Sequence, residues 1–410
     1  MSRYVIIGNG TASVGAIEGI RSVDKTGSIT VISEEDRPAY CRPLISYYLE
    51  GKTKLENIGM RGADYYSDSA AELLCGRKAV GIDADRRTVA LDDGEVLPYD
   101  RLCVCTGSSP FVPPFEGLGT VEKQFTFMTL DSALGIEKSI DAASRVLIVG
   151  AGLIGLKCAE GLTGRVASVT VCDLADRVLS SILDADCAAL MQRHLEEHGM
   201  EFLLGDSAVR FDGNTAYMRS GRTVGFDVLI LAVGVRANTS LISGIGGEVN
   251  RGIVVDERMA TSVDGIFAAG DCAEGFDASS GGKRVLAILP NAYMQGHAAG
   301  VNMAGGSEVF DKGIPMNSIG FFGLHAMSAG VYEGEMYEER TDTSIKRLFT
   351  KDGLLKGFIL IGRSERAGIY TSMIREKIPL SSVDFELLKR SATTAAFPPE
   401  SRRKMFGGAV

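Results

Sequence analysis

Short apolar runs broken by glycine recur along the first three-quarters of the chain. They are YVIIG (4–8), SITVISE (28–34), RLCVCTG (101–107), VLIVG (146–150), SVTVCD (168–173), FDVLILAVG (226–234) and DGIFAAG (264–270). Runs of this length bounded by glycine predict buried strands. Between them the pattern lengthens to helical stretches, AIEGIR after the first run and LIGLKCAEGL after the fourth. The segment LPNAYMQGHAAGVNMAG predicts a helix from about Asn291 to Met303. The pattern changes over residues 315–377, which predict antiparallel strands, a hairpin turn at Asp352-Gly353 and a closing helix. The fold class expected is α/β, with an α+β C-terminal domain.

The first and fourth runs each open a strand, glycine turn, helix unit. The first turn holds Gly8, Gly10, Thr11, Ala12 and Ser13. The second holds Gly150, Gly152, Leu153, Ile154 and Gly155, a full G-x-G-x-x-G. The first glycine permits the tight turn and the second admits a pyrophosphate. The third, or a small substitute such as Ser13, lets helix and strand pack closely. The helix N-terminus then holds the negative charge. Each unit also has an acid at the end of its next strand, Glu34 and Asp173. Such an acid can accept the ribose hydroxyls of an adenosine and repels a 2′-phosphate, so Asp173 favours NADH; Arg177 weakens that preference slightly. The two units are expected to form two Rossmann-like dinucleotide-binding domains, and two adenine dinucleotide sites imply two dinucleotides, FAD and NAD(H) being the usual pair.

Composition narrows the picture. The chain has 410 residues, 45% hydrophobic and 23% charged, enough for two or three domains. Its net charge of −9 argues against nucleic acid as a partner. The charge is uneven: residues 346–410 carry 13 Lys/Arg against 6 Asp/Glu, which leaves the preceding 345 residues at −16. That basic segment is suited to steering an acidic protein partner. No apolar stretch approaches 18 residues and the N-terminus enters a strand at once, so no membrane span is expected and a cytoplasmic protein is. Eight scattered cysteines without a CxxC are expected to be free thiols. Cys103 and Cys105 point the same way on one strand, a poor geometry for a bridge. His194 and His198, spaced i, i+4, are expected on an exposed helix face, with no further ligand nearby and no metal.

In order and composition these blocks resemble the two-dinucleotide-binding-domain flavoproteins of the pyridine nucleotide–disulfide oxidoreductase superfamily, over roughly residues 3–305. The resemblance implies a discontinuous FAD domain at 1–112 and 238–306, an NAD(H) domain at 113–237 and a third, interface domain at 307–410, which in some members forms a homodimer. It assigns Asp271, after Gly270, to the ribityl chain of FAD, and Thr106-Gly107 to the crossover between domains. Pro290 and Asn291, at the start of the late helix, are placed by the flavin, and Val80 also falls to FAD. Val233 and Gly234 fall to NAD. Phe321 and Phe322 are expected in ordinary core packing, the alternative being the flavin dimethylbenzene edge.

The stretch YCRPLIS (40–46) decides between chemistries. Disulfide reductases of the superfamily need C-x4-C, which is absent. The single-cysteine branch aligns its cysteine with Leu44, not Cys41. The stretch is instead similar to the Y-x-R-P-x-L-S loop of reductases serving ferredoxins, rubredoxins or nitrite reductase modules. That resemblance puts Arg42 and Pro43 along the FAD, with Arg42 at the pyrophosphate. Where the family has a flavin-proximal Glu, this chain has Lys157, the candidate catalytic residue, which in that place would position the nicotinamide or stabilise reduced flavin, the alternative being an ordinary ion pair; Tyr47 stands where a Lys is common. The implied activity is an FAD-dependent NADH oxidoreductase handing electrons to an iron–sulfur or rubredoxin-type protein. Two alternatives stay open: an NADH oxidase or thiol-disulfide reductase using Cys41, and a redox-sensing flavoprotein.

Overall fold

The computed structural model describes residues 1–405, with side chains to Arg403. The last five positions of the expected 307–410 unit lie outside it. Two five-stranded parallel sheets dominate. The first has the order 266–268, 101–104, 3–7, 28–33, 71–75, and the second 200–204, 168–173, 145–149, 228–231, 124–126. Each is accompanied by a three-stranded antiparallel meander, at 79–98 and 208–225. Parallel strands need cover on both faces, and Val146 to Val149 are accordingly buried.

The first sheet is discontinuous in sequence. Its outer strand Ile266–Ala268 is made only after the whole second sheet. The chain leaves through Ser108–Pro110 and returns through Val235–Ala237, and these two segments pair antiparallel. The register corrects one expectation. Ile7 pairs with Ile32, and Val149 with Cys172. Asp173 is therefore matched by Ser33, where the first unit's strand ends; Glu34 lies one residue beyond it.

The helices that matter for the site are α1 (Thr11–Val23), α2 (Leu44–Leu49), α3 (Leu153–Leu162), α4 (Ala185–Glu197) and α5 (Leu289–Met303). α5 starts two residues before Asn291, with Pro290 in its first turn, where the missing N–H costs nothing. α1 and α5 cross backbone to backbone. A Cβ at Gly15 would lie 2.3 Å from the Tyr293 carbonyl oxygen, and one at Gly19 2.2 Å from that of His297. One at Gly296 would lie 1.9 Å from Ala12 O, and one at Gly300 2.2 Å from Ala16 O. The contacts advance together along both chains, so the helices run parallel and their N-termini lie side by side.

The third unit is an antiparallel sheet, order 316–321, 324–330, 354–361, 345–351, 335–340. Asp352 and Gly353 both have positive φ in the hairpin loop, as a type I′ turn demands. α6 (Ala367–Arg375) covers one face through Tyr370, Met373 and Ile374. Arg347, 6% exposed, ties this sheet to the N-terminus of α4 through Asp184 and Asp186 (2.7 Å), while Glu338 of its own sheet holds it at 2.6 Å. No helix among the described residues is long and apolar enough to cross a membrane.

The α1–α5 crossing admits no side chain. Gly296→Ala and Gly300→Ala are expected to destabilise the protein by about 1–3 kcal/mol each in denaturant unfolding. Gly62→Ala, at an open position, should stay within about 0.5 kcal/mol. Equal effects at all three positions would refute the close crossing.

Candidate functional site

The first glycine turn sits at the paired N-termini of α1 and α5. Gly8 has φ +105, and its back faces the Cys105 carbonyl. Nothing lies within 4 Å of the Cβ position of Gly10, the N-cap of α1. Ser13 takes the place of a third glycine by donating its hydroxyl to Gly8 O at 2.6 Å. Neither α1 nor α5 has a side-chain cap or an acid in its first turn, so both positive ends stay uncompensated. Thr11 and the buried Ala12 form that first turn of α1, with Gly270 packed against Ala12.

Beside this turn stands Asp271. Burial pushes its carboxyl above the usual range, against a hydrogen bond from Ser108 (3.2 Å) and the nearby charge of Arg42. Asn291 is fully buried; its amide donates to Ile314 O at 2.9 Å, while its Oδ1 has no partner among the described residues. Gln295 accepts from Gly270 N at 2.9 Å and leaves its Nε2 unpartnered. Thr106 exchanges two 2.8 Å hydrogen bonds with Asn238 and pins the crossover beside Gly107. An open glycine cradle, two bare helix ends and an orphaned buried amide oxygen fit a dinucleotide with a polar ring system.

Four other residues are expected at FAD: Arg42, Pro43, Glu34 and Val80. Arg42 is held by Glu35 at 2.5 Å and by Met128 O at 3.0 Å, and its neighbour Pro43 caps α2. Glu34 turns outward to Lys78 at 2.9 Å and is 70% exposed, because the strand has already ended. It is Glu35 that faces inward, onto Arg42 and the Tyr40 hydroxyl. Val80 is exposed on the first meander.

The second turn is better formed. Gly150 has φ +118, and a Cβ on Gly155 would lie 2.0 Å from Gly150 O. Gly152 again faces open space, before Leu153 and Ile154 in the first turn of α3. Asp173 accepts from Ala151 N at 2.7 Å and from Ala175 N at 2.8 Å. The carboxylate thus fixes the turn and keeps lone pairs for a ribose. Val233 and Gly234 close the neighbouring strand end, and Gly234 also faces open space. Arg177 is engaged by Asp176 and Leu183 O.

Lys157 sits where all three units meet. Its side chain is 15% exposed, and it pairs with Glu160, which is 3% exposed. It also donates to Gly320 O at 3.3 Å and lies over the rings of Tyr47 (5.0 Å) and Phe321 (5.5 Å). Glu160 accepts from Phe322 N at 2.7 Å. A carboxylate therefore is present, one turn after the position where it was sought; the i, i+3 spacing from Lys157 was the available signal. Phe321 is fully buried in the core, as expected. The histidines depart from the expected free helix face. His194 bonds Phe321 O at 3.0 Å, and the exposed His198 stacks on Phe322 at 4.4 Å, because the 321–324 hairpin packs there.

Cys41 is half-buried, and burial pushes its thiol up, away from the reactive thiolate. Cys103 and Cys105 are free thiols 3.5 Å apart in the core. No group of three or more potential metal ligands occurs among the described residues.

Comparison with known proteins agrees with this geometry. The family model for pyridine nucleotide-disulphide oxidoreductases matches residues 2–296. The NADH-dependent phenylglyoxylate dehydrogenase subunit epsilon of Aromatoleum evansii is 32% identical over 394 residues, 93% of each chain. The NAD(P)H nitrite reductase of Bacillus subtilis is 30% identical over 92% of this chain, which spans 48% of that protein. Among solved structures, a chain of the covalent putidaredoxin reductase–putidaredoxin complex superposes with a TM-score of 0.88 at 25% identity, covering 96% of this chain and 99% of that one.

Two expectations follow from the site. Asp271, with its carboxyl raised by burial, penalises the apoprotein at neutral pH, and the penalty fades as pH falls through the raised value. Asp271→Asn should melt higher than the parent apoprotein at pH 8 and no higher at pH 3, while releasing FAD faster. A melting difference independent of pH would refute this. Glu160→Leu strands the Lys157 ammonium and should cost about 3–5 kcal/mol in denaturant unfolding; Lys157→Met added to it should recover most of the loss. Additive losses would refute the pairing.

Proposed function

This chain belongs to the pyridine nucleotide-disulphide oxidoreductase family, and we propose that it passes electrons from NADH, by way of FAD, to a small iron–sulfur or rubredoxin-type protein. It is an FAD-dependent NAD(P)H oxidoreductase. In our reading residues 1–112 and 238–306 hold FAD, 113–237 hold NAD(H), and 307–410 face the acceptor. Bound FAD supplies a centre that accepts a hydride and releases electrons singly.

The residues supply binding, orientation and charge. The bare N–H groups around Gly10, Thr11 and Ala12 receive the FAD pyrophosphate, with Arg42 alongside. Asp271 receives the ribityl hydroxyls. The start of α5 at Pro290 and Asn291 favours negative charge on the ring. The turn from Gly150 to Gly155 receives the NADH pyrophosphate and Asp173 its ribose, and with Arg177 already engaged NADH is favoured over NADPH. No thiol step enters this reading: burial pushes the Cys41 thiol up, which disfavours its thiolate.

One observation carries the protein-acceptor reading. Five of the 13 cations of the basic segment are consumed internally: Lys346, Arg347, Lys351, Arg363 and Lys389 are ion-paired. Lys356 and Lys377 are in no ion pair among the described residues, and they share a crevice with Ala278 and Ser279. Ala278 bonds Gly313 O, and the next carbonyl, Ile314 O, receives Asn291 at the start of α5. A cationic face thus connects to the flavin end of α5 through two hydrogen bonds. The structural relative's covalent complex with putidaredoxin supports a protein acceptor.

Anaerobic titration should bleach the flavin fully with one equivalent of NADH, without a long-wavelength thiolate band, and identically in Cys41→Ser. A second equivalent, or a band lost in that variant, would restore the thiol chemistry. Acceptor turnover should fall with ionic strength, and Lys356→Glu with Lys377→Glu should lower kcat/KM for the acceptor roughly tenfold. Turnover indifferent to salt would sink the electrostatic docking.

A further inference from the structure

The third unit carries a cleft of about 550 Å³ that shares no residue with the glycine turns. It lies between the sheet strands at 335–361, the start of α6 and the helix 385–390. Four cations line it: Lys346, Arg363, Arg366 and Arg390. Two acids also do, Glu339 and Glu365. Glu339 is shared between Lys346 (2.5 Å) and Arg363 (3.5 Å). Arg390 donates its Nε to Glu386 O at 3.4 Å and, like Arg366, joins no carboxylate among the described residues.

Arg366 and Arg390 are exposed residues that line one cleft, so their guanidiniums are open to a ligand entering it. A chain of net charge −9 keeps them together here at a local surplus of two positive charges. Guanidinium is planar and forks onto phosphate or carboxylate oxygens, which water alone does not exploit. The floor is apolar, from Ile345, Leu360 and Ala392. A volume of this size takes a small molecule rather than an ion. The geometry points to a second ligand site in the third unit, for a small organic polyanion, with Arg366 and Arg390 forking its charged groups and the apolar floor taking its carbon.

The test is calorimetric titration of the FAD-loaded protein, saturated with NAD⁺ to block the second glycine turn. The probes are a sugar bisphosphate and citrate, which separate phosphate from carboxylate recognition. One equivalent of at least one probe should bind with Kd below about 1 mM. Arg366→Ala and Arg390→Ala should each weaken it roughly tenfold, with unchanged melting and unchanged NADH-driven ferricyanide reduction. No binding of either probe, or equal binding in the variants, overturns the site. If the variants instead lose salt-sensitive turnover with a protein acceptor while neither probe binds, the arginines belong to the acceptor's docking face and the small-molecule site is refuted.

Discussion

The parallel crossing of α1 and α5 is the constraint on which the first site rests. Helix dipoles laid side by side in the same sense repel, and the repulsion is strongest where the two N-termini meet. The four glycines bring the axes so close that the backbones touch, which gains dispersion contacts over the whole crossing. The unfavourable electrostatics are left at one end, and there neither helix has an acid or a side-chain cap. Such an end is suited to a bound anion. Packing between residues about 280 positions apart thus leaves a paired positive end that suits an anion.

The second constraint is the junction at Lys157. A helix of the inserted unit, a short helix of the first unit and a hairpin of the third converge on one ammonium–carboxylate pair. Leu49 of α2 packs on Gly161 of α3, and Arg165 donates to the Leu49 carbonyl, so the contact continues past the ion pair. A buried pair of this kind adds little net stability but is expensive to break, so it fixes relative placement more than strength. The Arg347 network does the same further out.

The local features were legible in the sequence. Both glycine turns, the strands beside them, the Asp352-Gly353 hairpin and the rise of α5 depend on residues close along the chain. The strand ends at Ser33, one place before Glu34, and an acid after an apolar run reads the same whether it closes the strand or follows it. Only pairing with the neighbouring strands shows that Ser33 holds the position. Gly15, Gly19, Gly296 and Gly300 carry no separate signal of contact, since each pair of helices is far apart in sequence. His198 on Phe322 and Lys157 on Phe321 were hidden for the same reason. Glu160 was within reach, one helical turn from a residue already singled out.

The ribbon formed by Ser108–Pro110 and Val235–Ala237 fixes an order of assembly during synthesis. The first sheet, begun at residue 3, lacks its outer strand until residue 268 and its partner helix until residue 303. The second sheet has all its strands by residue 231. Emerging from the ribosome, the later-starting unit can finish first, while the earlier one waits with the underside of α1 uncovered. The N-terminal third of the nascent chain is therefore the part that waits longest for its final packing partners.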